Sequence, residues 1–206
     1  MLDSSLLQLL AWQPKSGILS PNDQRISMSR TLDKPWIGPE YRLGKSAMVI
    51  LHWTYDGSTE ACMEAFLDGK RDTSFEVVFD KACARGSRSR REITQDLVVV
   101  NYIQYVMHDI KDVPEHPQHY LESQAVFTEV LKKWRPKAAW LLGKTHWEPS
   151  TKKDNFCGSE KIVFDTLKIK PVCSYHPTAH VRGMTWAQHM DRLAKDWEEV
   201  QRQLGC

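Results

Sequence analysis

The sequence predicts an α/β fold, specifically a three-layer α/β/α sandwich around a central four-stranded parallel sheet. Four short apolar runs are too brief for typical helices and have the composition of strands buried on both faces. Segments with apolar residues at intervals of three and four lie between these runs, as expected for helices. This alternation favours parallel strands joined by right-handed crossovers. The length of 206 residues suits a single domain over residues 1–206.

The predicted elements follow an N-terminal arm in chain order. Residues 1–45 combine a short apolar start with several prolines and glycines, so we expect an arm or cover layer there. The strands are predicted at residues 47–53, 97–101, 137–142 and 169–174. The helices are predicted at residues 59–67, 74–84, 118–134 and 186–204.

Composition narrows the possible partners and compartments. The formal net charge is only +2, so any binding to nucleic acid must come from a local basic patch rather than from a global field. No apolar run is long enough to span a membrane, and no secretory leader pattern is present, which together predict a cytoplasmic protein. The five cysteines are widely separated and form no Cys-x-x-Cys pair, so we expect free thiols and no bound metal.

A histidine–proline turn follows the fourth predicted strand. Pro177 ends that strand and restrains His176 to an extended conformation, so the imidazole stands at the edge of the sheet. Ligands of open α/β sheets bind outside the carboxyl ends of the strands. The first and second strands end near Asp56 and at Asn101, so an acid, an amide and a histidine are expected on one rim. Such a set could hold a flat polar ligand and move protons.

A series of motifs in a fixed order resembles the uracil-DNA glycosylase superfamily. The first strand and its loop, Val49-Ile50-Leu51-His52-Trp53-Thr54-Tyr55-Asp56-Gly57, are similar to that family's water-activating motif. The strand Leu97-Val98-Val99-Val100-Asn101 is similar to the strand that ends in a base-recognising Asn, and His176-Pro177-Thr178 matches the family's His-Pro-Ser-type loop. The resemblance as a whole extends over residues 47 to 190, which we expect to form the family-like core.

The resemblance implies catalytic roles for two residues. A glycosylase breaks a bond to the sugar through a cation-like sugar and an anionic base, and His176 would stabilise the leaving anion in a water-poor pocket. Asp56 would orient or deprotonate the attacking water, but it lies two positions beyond the family's usual acid. It is therefore either a displaced catalyst or a turn residue.

The resemblance also implies a set of base-binding residues. Asn101 would recognise the base edge, since an amide offers a donor and an acceptor side by side, although Asn is also common in strand-ending turns. Trp53 and Tyr55 in the first loop are bulkier than the common pattern, which suggests a base other than plain uracil. Together with Thr54 they are base-binding candidates. Phe66 is the candidate ring for stacking on the flipped base, with a plain core position as the alternative.

Phosphate contacts are expected from loops on either side of the rim. These contacts fix the register of a protein on DNA without recognising sequence. The candidates near the rim are Lys144, Thr145, Thr178, His180 and Arg182. The strongest basic run, residues 85–91, adds Arg88, Arg90 and Arg91 as a phosphate clamp, with a solvated linker as the alternative.

The expected function is that of a monomeric, cofactor-independent DNA glycosylase acting on uracil or a modified pyrimidine in single- or double-stranded DNA. The expected location is the cytoplasm, with association to the nucleoid in a bacterium. Two other classes stay open, because fold alone does not imply activity. One is a catalytically impaired DNA-binding relative, and the other is a small-molecule α/β hydrolase that uses the same rim.

Overall fold

The computed structural model describes residues 33–51, 58–69, 78–81, 89–102, 127–143, 163–177 and 179–205. Five strands form one mixed sheet: β1 (Trp36–Ile37), β2 (Ala47–Leu51), β3 (Leu97–Asn101), β4 (Ala138–Leu142) and β5 (Val172–Ser174). The helices with defined bounds are α1 (Thr59–Leu67), α2 (Arg90–Thr94) and α3 (Trp186–Leu204). Residues 78–81, 127–134 and 163–166 are also helical. None of the helices in these ranges is both long enough and apolar enough to cross a membrane.

The sheet has the order β1-β3-β2-β4-β5. Strands β3, β2, β4 and β5 are parallel, with Val49 of β2 in register with Val99 of β3 and Trp140 of β4. Four strands are parallel, as predicted, but the sheet as a whole is mixed and has five strands rather than four. The additional strand, β1, pairs antiparallel with β3 and lies in the segment predicted to be an arm.

Strand residues alternate between two hydrophobic cores. Ala47, Val49 and Trp140 contribute to the core that also contains buried residues of α1 and α3. Met48 and Ile50 contribute to the core that contains helical residues in 127–134 and 163–166. All five residues of β3 and of β4 are buried. The strands are therefore apolar on both faces, as the continuous hydrophobic runs predict.

Side-chain caps fix where the helices begin. Helix α3 begins after Thr185, which forms a capping box with Gln188, and it ends at Gly205 in the left-handed conformation. Helix α2 begins after Ser89 in the same way, with Glu92 as the reciprocal partner. The sequence-based bounds of the helices at 59–67 and 186–204 are confirmed. Helix α2 was not predicted, and its first two residues, Arg90 and Arg91, belong to the run 85–91 that the sequence suggested as a linker or a phosphate clamp.

Candidate functional site

The strand order creates a topological switch point. The chain passes from β2 to its neighbour β3 on one side, and then returns to β4 on the other side of β2. In open α/β sheets, ligands bind in the crevice outside the carboxyl ends of the strands at such a point. The crevice here lies beyond Leu51 of β2 and Leu142 of β4. Asn101 flanks it at the end of β3, and Ser174 flanks it at the end of β5.

Asn101 is held in a buried polar network on one side of this crevice. Its side chain is fully buried, and its Nδ2 donates hydrogen bonds to Asp33 Oδ2 at 3.0 Å and to Thr59 Oγ1 at 2.6 Å. An amide nitrogen has two N–H donors. Both donors of Asn101 are therefore directed to acceptors within the protein.

Asp33 is the central acceptor of the network, and sequence reasoning missed it. Its Oδ1 accepts from the Thr59 backbone N–H at 2.7 Å, and its Oδ2 accepts from the Thr59 hydroxyl at 2.6 Å. The residue is 1% exposed. Burial raises the pKa of the Asp33 carboxyl, while hydrogen bonds from Thr59, Asn101 and the Lys34 backbone partly offset this rise.

The amino end of α1 is closed by the same segment of chain. The first backbone N–H of the helix, that of Thr59, donates to the Asp33 carboxylate. The next, that of Glu60, donates to the Lys34 carbonyl at 2.9 Å. The third, that of Ala61, donates to the N-cap Ser58 hydroxyl at 3.2 Å. These are the groups that would otherwise attract an anion at a helix start. The start of α1 is thus a structural cap rather than an open phosphate site.

The orientation of β1 explains how Asp33 reaches Asn101. Because β1 is antiparallel to β3, with Trp36 opposite Val99, the residues just before β1 lie beside the carboxyl end of β3. The backbone comes close to β3 at Gly38, whose N–H donates to the Leu97 carbonyl at 2.8 Å. A glycine allows this close approach because it has no side chain. A Cβ at position 38 would lie 2.3 Å from the carbonyl oxygen of Gln95.

The His176 turn lies on the other side of the crevice. The backbone oxygen of His176 accepts from the Ala179 N–H at 2.8 Å, which closes a turn with Pro177 at its second position. Proline favours that position because its ring fixes φ. His176 is partly buried, and Pro177 is buried.

His189 is a second anchor of this turn that the sequence did not reveal. Its Nε2 lies 3.1 Å from the His176 carbonyl oxygen, which can only accept, so Nε2 carries the proton. The residue is 2% exposed, and its Nδ1 has no hydrogen-bond partner within the described ranges. The rings of Tyr175 and Trp186 contact it edge-on, with centroids 6.4 and 6.2 Å away.

Strand β5 is joined to α3 and β4 through Ser174. Its hydroxyl accepts from the Trp140 indole N–H at 2.7 Å and donates to Asp196 Oδ2 at 2.6 Å. Its backbone carbonyl accepts from Gly143, which follows β4 with a φ of 105°. These bonds fix the position from which the His176 turn departs.

Of the other predicted site residues, some are exposed near the His176 turn and others lie outside the described residues. His180 and Arg182 are exposed beyond the His176 turn. Eight predicted site residues lie outside the described residues: Trp53, Thr54, Tyr55, Asp56, Arg88, Lys144, Thr145 and Thr178.

Phe66, Arg90 and Arg91 differ in what they can offer a ligand. Phe66 is 1% exposed and packs edge-on against Phe79, so as placed its ring has no face open to a base. Arg90 forms a two-pronged ion pair with Asp80, donates to the Phe66 carbonyl and lies 4.5 Å from the centre of the Phe66 ring. Its guanidinium is thus engaged within the fold. Arg91 remains largely exposed.

The comparisons with known proteins add no family assignment. No family model matches the chain, and no curated protein matches it. The resemblance therefore depends on the ordered motifs and on where their residues lie in the sheet. Within the described ranges, no group of three or more His, Cys, Asp or Glu side chains could hold a metal ion.

Proposed function

We propose that the protein is a monofunctional DNA glycosylase related to the uracil-DNA glycosylase superfamily. The observation that carries this proposal is the position of Asn101 and His176 at the same edge of the sheet, on opposite sides of the switch point. Their strands are three intervals apart, which separates the backbones by about 14 Å. A base-recognising amide and an anion-stabilising imidazole would then face one crevice.

The proposed reaction hydrolyses the bond between the sugar and a flipped base. His176 would donate a hydrogen bond to the base as negative charge develops on it, in a site that excludes water. Asn101 would contact the edge of the base, and Asp56 would orient the attacking water. The products are an abasic site and the free base. The turn contacts made by Ala179 and His189 support a fixed position for His176.

Binding to DNA is part of the same proposal. His180 and Arg182 are exposed next to the His176 turn, and Arg91 is exposed on α2. Such side chains could contact phosphates without recognising sequence. We further propose a monomer that acts in the cytoplasm, or at the nucleoid if the source is a bacterium.

The proposal includes the three-layer α/β/α arrangement. The two separate cores support it, because each combines alternate strand residues with buried helical residues.

A catalytically impaired DNA-binding relative is the second candidate. The specific observation in its favour is that both amide donors of Asn101 are engaged inside the protein. The burial of Phe66 points the same way, because it leaves no stacking face at that position.

A base-excision assay separates the two candidates. Oligonucleotides with uracil, deaminated purines or modified pyrimidines would be incubated with the protein in chelator and then treated with alkali. We expect strand breaks at one or more of these bases, and we expect His176→Ala to lower the rate at least about 100-fold. Retained DNA binding with no excision of any base would favour the impaired relative.

A matched control guards against a general loss of fold. Lys170→Ala changes an exposed residue before the amino end of β5, at the opposite end of the strand from His176. We expect it to excise bases at the rate of the unmodified protein. Equal losses in the two variants would remove His176 from the mechanism.

A further inference from the structure

The hydrogen bonds around Asn101 fix which end of its amide points inward. Asp33 is a carboxylate, and its Oδ2 already accepts from the Thr59 hydroxyl. The Thr59 hydroxyl has therefore used its only proton and can act towards Asn101 only as an acceptor. Asn101 must direct its NH2 group at both neighbours, as the distances of 3.0 and 2.6 Å show.

The consequence is a restriction on what Asn101 can offer a ligand. Its two donors are engaged, whereas its carbonyl oxygen has two lone pairs and can accept from more than one partner. A base that reaches this buried amide would thus meet an acceptor and no amide donor. A carbonyl on the ligand would gain no hydrogen bond from Asn101, but an amino group would.

We propose that Asp33 and Thr59 are specificity-determining residues that make Asn101 an acceptor-only contact, so that the site selects a base with an exocyclic amino group over one with a carbonyl there. The inference rests on the proposed glycosylase function and names its substrate class: amino-bearing bases, such as modified cytosines, rather than uracil. Cytosine and uracil are the closest pair for this test: they differ at the 4-position by an amino group against a carbonyl, and at N3, which is an acceptor in cytosine and carries a proton in uracil. The preference is therefore expected where Asn101 lies opposite the 4-position, since an acceptor opposite N3 would favour uracil instead.

The network can be reversed by one nearly isosteric change. In Asp33→Asn, Oδ1 of the new amide can still accept from the Thr59 backbone N–H, while its NH2 group takes the place of Oδ2. That NH2 group would donate to Thr59 Oγ1 and to Asn101. The Thr59 hydroxyl would then donate to Asn101 as well, and the Asn101 amide would turn over. Its NH2 group would face the crevice.

A binding experiment tests this reversal without requiring cleavage. Duplexes would carry a single 2′-fluoroarabino cytidine or uridine opposite an abasic analogue, because fluorine at the 2′ position slows cleavage of the glycosidic bond. We expect the unmodified protein to bind the cytidine duplex about tenfold more tightly than the uridine duplex, the effect of one hydrogen bond. Asp33→Asn should abolish or invert that ratio.

A charge-matched control accompanies the variant. Glu60→Gln removes the same negative charge one residue from Thr59, at a side chain that is 45% exposed and pairs with Lys34. It leaves the network intact, so it should keep the ratio of the unmodified protein. Far-ultraviolet circular dichroism would show that all three proteins are folded.

The outcomes separate the inference from the function beneath it. If the protein excises a base or binds a probe better than a normal duplex, the glycosylase proposal stands. If it also binds the uridine duplex as tightly as the cytidine duplex, or more tightly, the inference is overturned. A ratio that stays unchanged in Asp33→Asn would also overturn the inference. If neither probe binds better than a duplex of normal pairs, and no base is excised, the proposed function fails and the inference fails with it.

A second measurement tests the network even in the absence of DNA. In a protein labelled with nitrogen-15, the side-chain NH2 signals of Asn101 should exchange with solvent at least about tenfold more slowly in the unmodified protein than in Asp33→Asn. Equal exchange rates would overturn the assigned direction of the amide, whatever the result with DNA.

Discussion

The two sides of the crevice are built in contrasting ways. At the β3 side, Asp33, Thr59 and Asn101 form a closed network of buried side chains. At the β5 side, the His176 turn is held by hydrogen bonds to its backbone oxygen, and exposed residues follow it, including Trp186 at 52% exposure. The buried side fixes the orientation of one polar group, whereas the other side leaves side chains accessible to a large partner.

The largest expected effect comes from removing the centre of the buried side. Asp33→Ala leaves three donors without their acceptor: the Thr59 N–H, the Thr59 hydroxyl and the Asn101 amide. A buried donor without a partner costs about 1–3 kcal/mol, and relief from burying a carboxylate offsets part of the sum. We expect the free energy of unfolding in urea to fall by about 3 kcal/mol.

A neighbouring substitution serves as its control. Lys34→Ala changes an exposed side chain whose ion pair with Glu60 spans 3.6 Å, so the expected change is within about 0.5 kcal/mol. If Asp33→Ala were no more destabilising than Lys34→Ala, the network would contribute nothing to stability and the contrast between the two sides would fail.

The next effect tests how the buried side is assembled. In Gly38→Ala, the new Cβ would lie 2.3 Å from the Gln95 oxygen and 2.5 Å from the Thr94 oxygen, both of them backbone atoms. The close pairing of β1 with β3 must then loosen, at a cost of about 2 kcal/mol. Chemical denaturation measures this, with Glu40→Ala as an exposed control. We also expect faster amide exchange at Asn101, and an unchanged exchange rate would separate β1 from the network.

Much of the sheet could be predicted because its strands are buried on both faces. The apolar runs that became β2, β3 and β4 need no knowledge of distant partners. Strand β1 could not be predicted in this way, because it has two residues and no period to detect. Its identity as a strand depends on pairing with residues more than 60 positions away.

The candidate site, too, has parts that are encoded locally and parts that depend on distant residues. The turn at His176 is encoded locally by Pro177, and Asn101 stands visibly at the end of an apolar run. The partners of both residues come from elsewhere: Asp33 is 68 positions from Asn101, and His189 meets His176 through the return of α3. The sequence signal for Asp33 was weak: a carboxylate two residues before Pro35, a pattern that is common in exposed turns.

A smaller effect is expected at the β5 side. His189→Leu removes the donor to the His176 carbonyl while keeping an apolar side chain, and one hydrogen bond is worth about 1 kcal/mol. His189→Gln supplies an N–H donor again and should recover part of the loss. Because the bond restrains the turn, the excision rate of His189→Leu should fall by a larger factor than its equilibrium constant for folding does. Equal stability and equal excision in both variants would show that His189 fills space only.

The pH dependence of stability should reflect the burial of Asp33 on the β3 side. Burial raises the pKa of Asp33 above its ordinary value of 3.8, so the native state keeps this proton where the unfolded chain has already lost it. The contribution of this group is thus complete below about pH 3.8 and is lost as pH rises through the native pKa. Asp33→Asn cannot titrate.

That comparison is measurable with two proteins. The unfolding free energy of the unmodified protein, minus that of Asp33→Asn, should decrease as the pH is raised from about 3.5 to about 7. The other carboxyl groups titrate in both proteins and largely cancel. A difference that increases with pH would mean that the hydrogen bonds to Asp33 outweigh its burial.

The smallest effect on stability is expected at Arg91, and it separates structural from accessible arginines on α2. Arg91 lies 3.6 Å from Asp68 with 71% of its side chain exposed, so Arg91→Ala should change stability by less than about 0.5 kcal/mol. If it contacts a phosphate, the slope of log affinity against log salt concentration should fall by about 1. Arg90 is engaged with Asp80 and Phe66, so Arg90→Ala should instead destabilise the fold by about 1–2 kcal/mol and leave that slope unchanged. The reverse pattern would make Arg90 the phosphate contact, and the internal ion pair would then have to open when DNA binds.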